Sequence, residues 1–371
     1  MSIRRFFKNP ATTRAPGITG AVFCLAFALF LSSCDKKSGT PDWDTPGGGK
    51  AAESSATPVG ASKPEETKPT TPPTPVTPVA AAEPAAETTP ATHDPAAAGS
   101  LRFITYNVEN WLTMDRRAGD ENLKNAPKPD SEKRAVVELL VKNHPDILGL
   151  CEIGQATDLA ELQQMLKEAG LDLPNSHFTG GSDPTRHLAI LSKYPITSTG
   201  KVEVMEYQMN GRTFGFNRGV MDATIQAKGK NYRFLGVHLK SKRDVEDGDQ
   251  EEMRINEAHL LRRHIDSILK AEPSTRLVVY GDFNDTYPSK ALRAVTTGSD
   301  EILKIKPIYM KDSRGEAWTH HWSNQDIYSR IDFIMVSQAL GKEVLYQACH
   351  IIDDPDWFKA SDHRPLIAIF K

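Results

Sequence analysis

Large apolar residues are distributed along this chain in three regimes. A short apolar run occupies Ala21–Leu31 behind Arg4, Arg5 and Lys8. From Lys36 to Gly99 Pro, Ala, Thr, Glu and Gly dominate, and hardly any large apolar side chain occurs. Such a stretch cannot offset its ordering entropy by burial, so it is expected to be an extended, polyproline-rich tether. From Leu101 onward the composition becomes that of a packed domain, and two periods alternate. Leu101–Val108, Ile147–Cys151, His187–Ser192, Gly219–Gln226, Tyr232–His238, Leu277–Tyr280, Arg330–Val336 and Leu366–Phe370 are short, apolar and rich in β-branched or aromatic residues, as strands are. Helical spacing appears in Ser131–Asn143, in Leu159–Ala169 and in Gln250–Lys270, where Ile255, Leu260, Leu261, Ile265 and Ile268 form one face. The mixture predicts a single α/β domain built on two layers of sheet.

The apolar run at the N-terminus is too short for a comfortable bilayer span. A basic segment, a short apolar core and small residues before Cys34 describe an export signal. Leu31-Ser32-Ser33-Cys34 resembles a bacterial lipobox, which implies acylation of Cys34. The expected organisation is a lipoprotein signal peptide over 1–33, a linker over 34–99 and one catalytic domain over 100–371. On that reading the protein sits in the bacterial cell envelope, lipid-anchored and extracytoplasmic or secreted, and works as a monomer. Of the other cysteines, Cys24 lies in the signal, and Cys151 and Cys349 are expected to be buried thiols.

Charge narrows the function classes. Residues 1–99 hold nine Lys+Arg and nine Asp+Glu, which leaves 45 − 9 = 36 against 48 − 9 = 39 in the rest, a net of −3. A strongly basic footprint is therefore absent, which argues against tight, processive, sequence-reading nucleic-acid binding, although local cations and a metal could still hold phosphates.

The chemistry-bearing residues gather where strands end. Asn107 stands at the end of the strand Leu101–Val108, and Glu152 follows the apolar run Leu148–Cys151. A carboxylate there is costly to bury without a cation or a donor, and a hard divalent ion suits it. His238 ends another strand, with Lys240 and Lys242 beside it. Asp282 and Asn284 stand two apart after Leu277–Tyr280, a spacing that aims both the same way in extended backbone. Asp332 lies within Arg330–Val336, and Asp362-His363 precedes the last strand. A histidine acting as a base benefits from a carboxylate on its other ring nitrogen, and Asp332 is the natural partner.

Taken in order, Tyr106-Asn107-Val108, Glu152, Ala189–Ile196, Asn217-Arg218-Gly219, His238, Gly281-Asp282-Phe283-Asn284, Arg330-Ile331-Asp332 and Ser361–Pro365 resemble the endonuclease/exonuclease/phosphatase (DNase I-like) superfamily. The resemblance implies a four-layer α/β sandwich of two mixed sheets flanked by helices, with the site between the sheets. It implies that Asn107, Glu152 and Asp362 bind Mg²⁺ or Mn²⁺. It also implies that His363, paired with Asp332, activates water, and that Asp282 positions that water or protonates the leaving oxygen. His238, Asn284 and Arg218 would stabilise charge on the phosphoryl oxygens. Where some members of the superfamily pair the equivalent of His238 with an acid, the nearest one here is Asp183, so His238 is assigned to charge stabilisation. His-Leu-Lys-Ser-Lys followed by a helix with Gln250 and Arg254 is similar to bacterial extracellular nucleases, which ranks nucleic acid first as the substrate. A phospholipid or a small phosphate ester is the second expectation. A catalytically silent binding module is the third, and it predicts gaps among these positions that the sequence does not have.

Overall fold

The computed structural model describes residues 99–371 apart from Asp247. The expected signal, most of the linker and Cys34 lie outside the described residues.

The folded region is layered because its strands are apolar on both sides. In the strand Leu101–Trp111, Leu101 and Phe103 face one cluster, whereas Ile104, Tyr106 and Val108 face another. The strand Lys230–His238 divides likewise, with Tyr232 and Phe234 on one side and Leu235 and Val237 on the other. Strands with two apolar faces need cover on both. Two six-stranded sheets supply it for each other, and helices cover the outer faces.

The first sheet runs His350–Ile351, Leu366–Phe370, Leu101–Trp111, Ile147–Ile153, His187–Ser192, Asn175–Thr179. The second runs Ile305–Pro307, Asp332–Ser337, Arg276–Asp282, Lys230–His238, Val220–Ala227, Ile196–Thr199. Each contains one parallel pair among antiparallel ones: Leu101–Trp111 with Ile147–Ile153, and Lys230–His238 with Arg276–Asp282. Helices Asp130–Asn143 and Ala156–Glu168 pack on the outside of the first sheet. Helices Gln250–Ala271 and Lys290–Thr296 pack on the outside of the second. This is the four-layer sandwich implied by the sequence resemblance.

The space between the sheets is filled by aromatic rings. Phe103 of the first sheet meets Phe234 and Tyr280 of the second at ring-centroid distances of 4.9 Å each. Tyr280 fits because Gly149 and Gly236 lie beneath it, and a Cβ at either would run into its ring. Cys151 and Cys349 are free and buried, as expected.

Two boundaries differ from the sequence expectation for a local reason. The helix expected from Leu159 starts at Ala156, because Gln155 and Asp158 form a capping box. The strand expected from Arg330 starts at Asp332, where Thr319 Oγ1 accepts the N–H groups of Ile331 and Asp332 at 3.1 Å. Arg330 meanwhile donates to the carbonyls of Ile308 and Met310. Unanticipated by the sequence pattern are the hairpins Met114–Ala118/Glu121–Ala126, Glu206–Met209/Arg212–Gly215 and His320–Trp322/Ile327–Ser329.

A buried polar cluster supports the second sheet. Buried Asp222 accepts two bonds from Arg233, at 2.6 and 2.8 Å, and one contact from His264 at 2.7 Å. Burial alone would raise its pKa, but His264 and Arg233 outweigh burial and hold it below the usual carboxylate value. A depressed folded pKa means stability that is present above the unfolded pKa and lost as pH falls through the folded one. Asp222→Asn is expected to cost about 3 kcal/mol near neutral pH, the low end for a broken buried pair. It should also weaken the acid limb of stability below about pH 4. Urea melts at pH 7 and pH 3 check both; an equal loss at the two pH values would contradict the linkage.

Candidate active site

Strand register assembles one side of the site. His238, Asp282 and Asp332 are Cα partners across three adjacent strands of the second sheet, so they form a single row. His238 and Asp282 are the last residues of their strands, and Asp332 is the first of its own. The chain can turn out of the sheet there because Gly281 adopts φ 125°, and a Cβ at that position would strike the Val237 carbonyl. On the first sheet, Asn107 pairs with Cys151, and Glu152 follows immediately.

Backbone strain collects at these ends. Glu109, Asn110, Glu152 and Asn284 have φ of 47°, 53°, 65° and 50°. Asparagine tolerates this region, whereas for glutamate it costs roughly 1–2 kcal/mol. At Glu152 the conformation is held by a hydrogen bond from Asn110 N–H to Oε2, at 2.8 Å.

The side chains converge across the gap between the sheets. Asn107 Nδ2 lies 3.4 Å from Glu152 Oε1, 3.2 Å from Asp282 Oδ2 and 3.4 Å from His363 Nε2. Its oxygen accepts the Glu109 N–H at 3.1 Å. In this rotamer Asn107 is a donor that orients the carboxylates; turning the amide over would present its oxygen to them or to a cation instead. Asp282 Oδ2 stands between the two histidines, 3.5 Å from His238 Nε2 and 3.7 Å from His363 Nε2. His363 Nδ1 is 2.8 Å from Asp332 Oδ2. That bond fixes the ring and leaves Nε2 facing Asp282 and the interior of the site.

The remaining sequence candidates fall around this centre. Asn284 donates its backbone N–H to Asp282 Oδ1 at 2.8 Å and its amide to Leu239 O at 3.0 Å, so it shapes the turn. Asp362 is half exposed and contacts His363 and His320 rather than Glu152. Arg218 is 8% exposed, and its Nη1 has no hydrogen-bond partner among the described residues. Asp183 pairs with Arg218 at 3.5 Å and Arg186 at 3.9 Å, not with His238. The Nδ1 of His238 has no partner among the described residues. His238 is therefore not held by an acid as His363 is.

Electrostatics separate the two histidines. Burial lowers the pKa of both. At His363 the neighbouring Asp332, Asp362 and Asp282 overcome burial and drive it well above the usual value. At His238, Arg218 and His363 add to burial and drive it well below. Asp282 is pushed up to about 7 by burial and by Asp332. Glu109 is likewise pushed up to about 7 by burial and by Asp362. Five carboxylates crowded into one place form an oxygen-rich, electron-rich donor set. That surplus fits a hard divalent cation, which takes oxygen ligands and lowers carboxylate repulsion. Among the described residues, two His/Asp groups have ligand atoms close enough for one ion, His320/Asp362/His363 and Asp282/Asp332/His363.

Several supporting residues escaped the sequence pattern. Glu109 accepts the Asp362 N–H at 3.0 Å and so anchors the segment carrying His363. Glu257, fully buried on the helix Gln250–Ala271, accepts the N–H groups of Asn217 and Lys240 at 2.8 and 2.6 Å. Arg254, which the sequence resemblance had named, lies one turn earlier and donates to Lys240 O at 3.0 Å and to Asp285 at 3.2 Å. One helix face thus ties together the loops bearing Arg218, His238 and Asp282. Charged residues at i and i+3 within an apolar helical face were the available signal, since they must be paired once buried.

Comparison with known proteins agrees with this architecture. A family model described as "Endonuclease/Exonuclease/phosphatase family" matches residues 104–363. Among solved structures, an endonuclease/exonuclease/phosphatase from Bacteroides vulgatus is 21% identical, with a TM-score of 0.52, over 73% of this chain and 98% of that one. Beta toxin from Staphylococcus aureus is 17% identical, with a TM-score of 0.52, over 73% and 100%. The human Nocturnin catalytic domain, solved with a bound sulfate anion, is 18% identical, with a TM-score of 0.51, over 74% and 96%. No curated protein matches the chain significantly.

Proposed function

Because this chain belongs to the endonuclease/exonuclease/phosphatase family of phosphoester hydrolases, we propose that it is a divalent-metal-dependent nuclease acting on DNA or RNA outside the cytoplasm. The observation that carries the proposal is the convergence on Asp282 of Asn107, His238 and His363, residues up to 256 positions apart. The N-terminal signal-like segment and Cys34 support an extracytoplasmic, lipid-anchored setting.

Glu152, with Asn107 and Asp362, would hold the cation, for which Mg²⁺ or Mn²⁺ is the natural choice. When bound, it would neutralise the carboxylate surplus, bring His363 toward its neutral form and polarise a phosphoryl oxygen. His363 Nε2 takes the proton of the attacking water, and Asp332 orients the ring and stabilises the charge it acquires. Asp282, between the histidines, orients the water or returns a proton to the leaving oxygen. His238 and Arg218 face the phosphoryl oxygens, and the unpartnered Nη1 of Arg218 suits an anion. Positioning and charge neutralisation supply most of the rate in such a displacement.

The test is a substrate panel of plasmid DNA, RNA, sphingomyelin and phosphoinositides, each with Mg²⁺ and with EDTA. Cleavage of DNA or RNA that stops in EDTA is expected. Turnover confined to the lipids would replace the nucleic-acid proposal, and full turnover in EDTA would remove the metal.

A further inference from the structure

Arg186 has no part in the chemistry above, yet the fold builds a fixed place for it beside Arg218. The two loops that carry these arginines are zipped together by their backbones. Ser182 N–H donates to Phe216 O at 3.0 Å, and Asp183 N–H donates to Asn217 O at 2.7 Å. Glycines permit so close an approach. A Cβ on Gly181 would strike the Phe216 carbonyl, and one on Gly219 would strike the Gly180 carbonyl. Both arginines then meet the same carboxylate oxygen. Asp183 Oδ2 is 3.5 Å from Arg218 Nε and 3.9 Å from Arg186 Nη1.

Two guanidinium groups against one carboxylate leave a surplus of positive charge. Arg218 is the deeper of the two, with its side chain 10% exposed, and Arg186 stands further out at 24%. Arg186 Nε donates to Asn110 Oδ1 at 2.9 Å and Nη1 to Thr185 Oγ1 at 3.4 Å, which leaves Nη2 for a further acceptor. Asn110 also donates its N–H to Glu152 Oε2 at 2.8 Å. One asparagine thus sets the outer arginine relative to the carboxylate assigned to the cation. Arg243, in the loop after His238, adds to the crowding: burial and then Arg186 hold it below the usual arginine value. His238 is depressed by Arg218, Arg186 and Lys240 as well as by burial, which places these cations on its side of the row. A substrate with more than one negative charge relieves this repulsion.

We propose that Arg186 binds the phosphate next to the scissile one, on the leaving-group side. The proposal rests on the nuclease reading and deepens it. Arg218, the buried member of the pair, serves the scissile phosphate, and Arg186 serves its neighbour through the bidentate fit of a guanidinium to phosphate oxygens. The side follows from in-line attack. Water held at His363 Nε2 sends the leaving oxygen the opposite way, past Asp282 toward His238 and the arginines.

The experiment uses the full chain with Mg²⁺ on an oligonucleotide of whichever nucleic acid is cut, with one linkage replaced by an uncharged methylphosphonate. The product ends, 5′- or 3′-phosphate, tell which flanking bond has the neutral linkage on its leaving group. Cleavage at that bond is expected to fall about tenfold against the all-phosphate control, as for the loss of one charge-assisted pair. Cleavage at the bond on the other side should hardly change. Arg186→Gln should slow cleavage of the control about tenfold and abolish the contrast between the two bonds, and Arg186→Lys should restore part of it. An equal loss at both bonds, a loss only at the opposite bond or no loss would overturn the assignment in the parent chain alone, whether or not Arg186→Gln folds. Full contrast in a folded Arg186→Gln variant would overturn it too, and each of these outcomes leaves the nuclease standing. Turnover of the lipids with no oligonucleotide cut would instead overturn the nuclease reading.

Discussion

His363→Ala is expected to lower kcat by about 10²–10⁴-fold with little change in KM, the range lost with a positioned general base. The physical reason is geometric. Nδ1 is committed to Asp332 at 2.8 Å, so Nε2 is the nitrogen presented to the site, and Asp282 lies 3.7 Å beyond it. Asp332→Asn should reproduce most of this loss, because the amide can no longer stabilise the imidazolium. The double variant should be scarcely worse than either single one, since the pair acts as a unit. Removal of His363 also leaves the Asp332 carboxylate buried without its cation, so some loss of thermal stability accompanies the loss of rate. Circular dichroism melts and single-turnover kinetics separate the two. A folded His363→Ala variant that turns over within tenfold of the parent would remove His363 from the role of base.

Glu152→Gln is expected to lower kcat/KM by about 100-fold or more at low Mg²⁺, with partial recovery as the metal concentration rises. The residue sits in a left-handed backbone conformation, with one oxygen fixed by Asn110 N–H. Among the described residues its other oxygen has long contacts, 3.4 Å to Asn107 and 3.9 Å to His238, and is therefore available to a cation. Glutamine keeps the size of the side chain and removes the charge. Metal titrations of activity, together with calorimetric Mg²⁺ binding, check the assignment. An unchanged metal midpoint would move the cation away from Glu152, with the His320/Asp362/His363 group next in line.

Much of the framework was legible before folding because it is periodic. His187–Ser192 and Leu366–Phe370 begin and end where their apolar runs do, and the helix from Gln250 runs one residue past its expected end. Irregular pieces were not legible for the same reason. The hairpin His320–Trp322/Ile327–Ser329 has three-residue strands that are largely exposed, and no apolar alternation marks it. The start of the strand at Asp332 depends on the hydroxyl of Thr319, thirteen positions earlier.

The sequence by itself determined which residue types are available: a carboxylate, an amide and histidines at the ends of apolar strands, where burial without a partner is costly. It also fixed the two-faced apolar character that requires four layers. Only the tertiary structure decided the pairings. Register put His238, Asp282 and Asp332 in one row, and the approach of the two sheets brought Asn107 and His363 to Asp282. The left-handed turns at Glu109 and Glu152 and the orphaned Nδ1 of His238 likewise follow from long-range packing. Side-chain type and period are local properties of the chain. Which strand lies beside which, and what then faces a buried nitrogen, is set by burial summed over the whole domain.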